Sequence, residues 1–183
     1  MTKEEINELY ELFKEAETNI KLAELDGNSQ GFSLPSINEL RYAFKHLTIY
    51  LKEDKLEEFT ECKAHIKRAI CDALEMRIII SLERIRLFDS RYRFVSISPV
   101  IPNWIDLRRK LENAKESLAF CDESKERITV LKDSLKSVKD VLETIEAARS
   151  ELNKILFRRF FSVIGTIIAF LAACLTIYNF LLG

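Results

Sequence analysis

Residues 160–183 read FFSVIGTIIAFLAACLTIYNFLLG, a run without a single Lys, Arg, Asp or Glu. As a helix rising about 1.5 Å per residue it reaches roughly 36 Å, enough to cross a hydrocarbon core about 30 Å thick. Core helices of soluble proteins rarely run so far without a charge. The stretch therefore divides the chain into a charged, water-facing domain, 1–157, and a C-terminal transmembrane helix, 158–183. Lys154, Arg158 and Arg159 stand just before the span and nothing basic follows it. By the positive-inside rule the N-terminal domain is expected in the cytoplasm.

Small and polar residues recur within the span at Ser162, Gly165, Thr166, Ala169, Ala172, Ala173, Thr176 and Asn179. At 100° per residue all eight fall within an arc of about 140°, while most of the Phe, Ile and Leu side chains face the other way. Small residues let helix backbones approach closely, and hydroxyls or an amide in lipid seek a partner or water. This stripe points to self-association, or to the lining of a wet lumen, whereas a passive tail anchor needs no stripe.

Working back from the span, the pattern stays helical. A heptad seam starts near Ser124 and runs Ile128, Leu131, Leu135, Val138, Leu142, Ile145, Arg149, Leu152, Leu156, a long helix leading straight into the membrane segment. It suits packing on other helices of the chain or on a second copy. Residues 3–26 form an amphipathic helix stopped at Gly27, with Ile6, Leu9, Tyr10, Phe13, Ala16, Ile20 and Leu25 inward. After a loop from Gly27 to Pro35, Ser36 and Glu39 read as the capping box of a second helix that lines up Ile37, Leu40, Phe44, Leu47 and Leu51. Asp54 and Glu57 read as the cap of a third, so that helices two and three form a tight hairpin. The third keeps helical spacing from Leu56 to Phe88. Residues 91–103, with β-branched residues, Pro99 and Pro102, read as an extended connector before a fourth helix near Trp104. With only 4 Gly and 3 Pro in 183 residues there are too few turn-formers for an all-β fold. The expected fold is an all-α helical bundle.

The chemistry-bearing residues are sparse. Lys plus Arg (28) and Asp plus Glu (29) leave a net charge of -1, so direct nucleic-acid binding by the chain as a whole is not expected. The cysteines at 62, 71, 121 and 174 form no Cys-x-x-Cys pair, which fits a reducing compartment, and neither a metal nor another cofactor is expected. No cleaved targeting segment is read at the N-terminus. The two histidines, His46 and His65, support no Ser-His-Asp, Cys-His or phosphate-loop arrangement. Arg41 and His46 have an Arg-x4-His spacing in which Arg holds a phosphate and His moves a proton. The competing reading is structural, with Arg41 paired to Glu39 or Asp72 and His46 bonded at a helix contact. A basic run, Arg77, Arg84, Arg86, Arg91, Arg93, Arg108, Arg109 and Lys110, is interleaved with Glu75, Glu83 and Asp89. It offers a surface for RNA or lipid headgroups, but the interleaved acids favour a solvated or intersubunit salt-bridged face.

RYAFKHL (41–47) and AHIKRAICDAL (64–74) resemble the divergent HEPN-like helical modules of bacterial defence proteins, whose motif is Arg-x4–6-His. Together with one terminal span, the whole chain resembles the accessory membrane proteins of type VI-B CRISPR systems. That resemblance implies a HEPN-like bundle in the bacterial inner (cytoplasmic) membrane and a homo-oligomeric ring embedded in the lipid bilayer. It also implies a pore or permeabilising effector of antiviral defence, functionally linked to an RNA-guided ribonuclease. Tyr42 after the motif Arg, and the motif's place on the second helix, depart from active HEPN ribonucleases, so no enzymatic turnover is expected. Two alternatives stand beside this reading: a membrane-tethered HEPN ribonuclease using Arg41 and His46, and a passive tail-anchored adaptor.

Overall fold

The Thr2 hydroxyl accepts from the Glu5 amide at 3.2 Å, and the Glu5 carboxylate accepts from the Thr2 amide at 2.7 Å. This reciprocal cap opens α1, Lys3–Asp26. The computed structural model describes residues 2–27, 33–119 and 126–182, so part of the loop after Gly27, Cys121, the start of the seam at Ser124 and Gly183 lie outside the described residues. Within them the protein is all-α, with α2 at Leu34–Glu53, α3 at Leu56–Arg91, α4 at Trp104–Ala119 and α5 at Arg127–Leu182. α5 is one unbroken helix of about 84 Å that carries the seam directly into the uncharged run.

Both inner caps read from the sequence are displaced. α2 starts two residues before Ser36, because Pro35 sits in the first turn, where its missing N–H costs nothing. Ser36 is buried, and its hydroxyl lies 2.5 Å from that of Ser33. Asp54 does not cap α3: it ends α2 in the left-handed region at φ 53°, a conformation aspartate tolerates, and its amide donates to the Tyr50 carbonyl. The hairpin itself is as tight as expected.

Residues 91–103 are not extended. Consecutive turns fold them back, with bonds from Val95 N–H to the Tyr92 carbonyl and from Val100 and Ile101 N–H to that of Ile97. The β-branched side chains drive this compaction, since Val95 and Ile101 are buried with Tyr92 in the core.

α3 is the axis of the bundle and touches α1, α2 and α5. Ion pairs fix the directions. Lys63 with Glu8 and Arg77 with Asp26 set α1 parallel to α3, whereas His65 with Glu39 and His46 with Glu58 set α2 antiparallel. Lys132 on Glu15 lays α5 along α1. The seam is spent inside the chain: Leu131, Leu135, Val138, Ile145 and Leu152 are buried beside Val141, and only Arg149 faces out. Each of the large seam residues adds about 1.5–3 kcal/mol by burial, which holds α5 to α3 and α4.

The apolar faces of α1 and α2 are only partly used. α1 buries Ala16, Asn19, Ile20 and Ala23, and α2 buries Ser36, Ala43 and Tyr50. Ile6, Tyr10, Phe13, Leu25, Phe44 and Leu51, expected inward, are exposed. The small residues at Ser36 and Ala43 bring α2 close to α3 along a line rotated from the Phe44–Leu51 face. Phe44 is left lining an apolar groove with Ile6, Tyr10 and Phe13.

Candidate functional site

The antiparallel hairpin of α2 and α3 brings both histidines together. His46 Nδ1 lies 2.6 Å from a Glu58 carboxylate oxygen and His65 Nδ1 lies 2.8 Å from Glu39, so each Nδ1–H donates to an acid on the opposite helix. The two rings stack at 5.0 Å between centroids and 19° between planes, with Tyr42 tilted over His65 at 5.4 Å. Glu39 also accepts from Arg68 Nε at 3.1 Å. His46 is thus bonded at a helix contact, as the structural reading expects.

Arg41 is a correction to that reading. It is exposed and donates to Asn38 Oδ1 at 3.0 Å on its own helix, not to Glu39 or Asp72. Glu39 is already engaged by His65 and Arg68. No hydrogen bond or ion pair among the described residues joins Arg41 to either histidine. Residues five apart on a helix differ by about 140° in direction, and the two side chains diverge accordingly. The members of this cluster not singled out from the sequence are His65, Glu39 as its partner, and Glu58. They were recoverable from the hairpin, because 46 with 58 and 39 with 65 are both symmetric about residue 52, close to the turn. Among the described residues no group of three or more His, Cys, Asp or Glu side chains is placed to hold a metal.

Asp72, one turn beyond Arg68, is half-buried, and its carboxyl is pushed up from the ordinary aspartate range by burial first and then by the charges of Glu39 and Glu75, partly offset by Arg127 and Arg68. A raised native pKa means the folded state takes up the proton more readily than the unfolded chain. Stability therefore falls as pH rises from the ordinary Asp range through the raised value, and the cost is complete above it. Asp72→Asn is expected to raise the melting temperature of the full chain in detergent by about 2 °C near neutral pH, and by less at pH near 4. Melting curves at both pH values check this.

Much of the basic run is paired with acids at the surface, and only Arg77 is withdrawn into the core. Arg77 is buried, Arg84 donates to the Asp26 carbonyl, Arg86 pairs with Glu83, Arg108 with Asp89 and Arg109 with Asp106. Arg91 and Arg93 lie over the rings of Tyr92 and Phe94.

Residues 160–181 are the second candidate site. α5 is long and apolar enough here to cross a membrane, and none of its apolar window is buried inside the chain. Every residue of the stripe is exposed, and among the described residues a Cβ built on Gly165 meets nothing within 4 Å outside its own helical turn. The Thr166 and Thr176 hydroxyls donate to the carbonyls of Ser162 and Ala172, both at 2.9 Å, so neither needs an outside partner. Lys154 is paired with Glu151 at 2.7 Å, and Arg159 donates to the Phe94 carbonyl. Arg158 is exposed without an acidic partner among the described residues. No protein-family model, curated protein or solved structure matches the chain. Fold and site together define a helical protein carrying one candidate membrane-spanning helix.

Proposed function

We propose that the chain is a membrane-permeabilising effector: a cytoplasm-facing helical domain on one span, assembled as a homo-oligomeric ring in the bacterial inner membrane. The observation that carries this reading is a stripe of small and polar residues on a helix that no part of its own chain covers. One helix cannot enclose a water path, so permeation requires several copies with the stripe at helix contacts or on the lumen. The heptad seam does not serve as the contact between copies, because it is buried against α3 and α4. Action in antiviral defence beside an RNA-guided ribonuclease rests on the resemblance at 41–47 and 64–74. The separation of Arg41 from His46 favours this reading over a tethered ribonuclease.

Reconstituted at increasing protein-to-lipid ratio, the full chain is expected to release an entrapped small dye from vesicles with a steeper than linear dependence on that ratio. Vesicles that stay tight with the chain fully inserted contradict the proposal. So does cleavage of single-stranded RNA that is lost in His46→Ala, which returns the histidine to catalysis.

A further inference from the structure

The turn after α3 ends where the span begins. Tyr92 is buried and its hydroxyl donates to Asn153 Oδ1 at 2.7 Å, while Arg159, the last charged residue of the chain, donates to the Phe94 carbonyl. These two bonds hold residues 92–94 at the level of residues 153–159. The Phe94 backbone is therefore within one arginine side chain of Phe160, the first residue of the uncharged run.

What the turn presents there is cationic and aromatic. Phe94 is 70% exposed with the Arg93 guanidinium 4.3 Å from its ring centroid, and Phe157 is exposed beside it in sequence with Arg158. Residues 90–105 contain Arg91 and Arg93 and no acid, and no acid follows Glu151. Of the nearby carboxylates, Glu151 is engaged by Lys154 and Asp89 by Arg108, and Glu146 shares a groove with the three arginines Arg84, Arg91 and Arg149. The turn thus brings Arg93, beside Phe94, to the stretch of α5 that carries Lys154, Arg158 and Arg159, while Arg91, one residue before Tyr92, lines the groove with Glu146 and Arg149 at the foot of the same turn.

We propose that this end of the domain is a second membrane contact, in which Arg91 and Arg93 bind the phosphates of anionic lipid headgroups and Phe94 inserts at the level of the acyl boundary. Arginine forks match phosphate oxygens, and an exposed aromatic flanked by cations suits the polar–apolar boundary of a bilayer. An anionic leaflet attracts each basic residue near its surface, and the attraction fades within a Debye length, so the contact depends on lipid charge and on salt. Docking pins the domain upright beside its span, because the turn and α5 then hold the same surface. The proposal rests on residues 160–182 crossing a bilayer and does not depend on a pore.

Trp104, the sole tryptophan, begins α4 right after the turn and lies 5.9 Å from Phe88, itself 4.7 Å from Tyr92. The test places the full chain in nanodiscs carrying brominated lipid, with phosphatidylcholine alone or with phosphatidylglycerol, and reads quenching of Trp104 at rising sodium chloride. Stronger quenching in the anionic discs, relieved by salt, is the expected result. Arg91→Gln with Arg93→Gln is expected to shift the docking equilibrium about 30-fold toward the undocked state, and Arg91→Lys with Arg93→Lys to keep most of it. Both pairs are exposed and leave the core intact. Equal quenching in both lipids, or no change in the Gln variant, overturns the proposal. So does salt-sensitive binding of single-stranded RNA that is lost in the Gln variant, which assigns the cations to nucleic acid. Flotation of the same discs tests the span separately: a chain that fails to float removes the membrane reading itself.

Discussion

Arg77→Ala lowers the unfolding free energy by about 3–5 kcal/mol, a loss as large as that expected from truncating a core side chain of the water-facing domain. Arg77 is 6% exposed and its Nε donates to Asp26 at 2.9 Å while an Nη donates to Asn19 Oδ1 at 3.1 Å. Both acceptors are on α1, so this guanidinium is the polar clamp between α1 and α3. Truncation leaves the Asn19 carbonyl oxygen without its donor, and Asp26 keeps only Lys139 at 3.7 Å. Arg77→Lys retains the charge but reaches only one acceptor, and an intermediate loss follows. Thermal unfolding of the full chain in detergent reads these as drops of about 6–15 °C for alanine and less for lysine. A fall within 2 °C for alanine shows that α1 is held by its apolar residues alone.

That clamp marks the limit of what the sequence discloses. Helix positions were legible because Gly27, Pro35, Asp54 and the prolines at 99 and 102 punctuate a chain otherwise made of helix-formers, and periodicity survives between them. Which side of each helix is buried was less so. Arg77, Arg84 and Arg91 recur every seven residues along α3 and read as a single charged surface, yet they meet three environments: a buried pair, a helix terminus and the turn that follows α3. The difference arises from α1 ending at Gly27 level with Arg77, a tertiary fact that no local spacing encodes. Phe44 and Leu51 were misplaced for a related reason. Apolar periodicity marks the larger side chains, while close helix approach selects small ones such as Ser36 and Ala43.

The site was legible in the same uneven way. The stripe in the span is one-dimensional and can be counted along the helix, so residues 162–179 were found without a structure. The histidine cluster needed the register of a hairpin. Arg41 and His46 attract attention as neighbours in sequence, whereas the contact runs between His46 and His65, nineteen positions apart on different helices. Its acids, Glu39 and Glu58, look like ordinary surface charges until the two helices are laid antiparallel.

Exchanging residues 160–182 for a Leu/Ala span of equal length, with no polar or small-residue face, is expected to leave membrane insertion intact and to cut dye release about tenfold or more. Insertion depends on length and apolarity, which the exchange preserves, and Lys154, Arg158 and Arg159 remain to set orientation. Assembly as proposed depends on how closely helix backbones approach, which the exchange destroys. Gly165→Leu with Ala169→Leu is the finer version of the same experiment. Among the described residues, no atom outside its own helical turn stands within 4 Å of a Cβ at Gly165, so leucine there costs no packing within the chain, and on the proposed reading its effect falls between copies. The helices are then held apart by branched side chains, and particle size in mild detergent falls along with release. Thr166 and Thr176 bond their own backbone, so Thr→Val at both positions is expected to reduce assembly less than the leucine pair. If the plain Leu/Ala span releases dye as well as the native one, the stripe has no part in permeation and the span is a tail anchor for the helical domain.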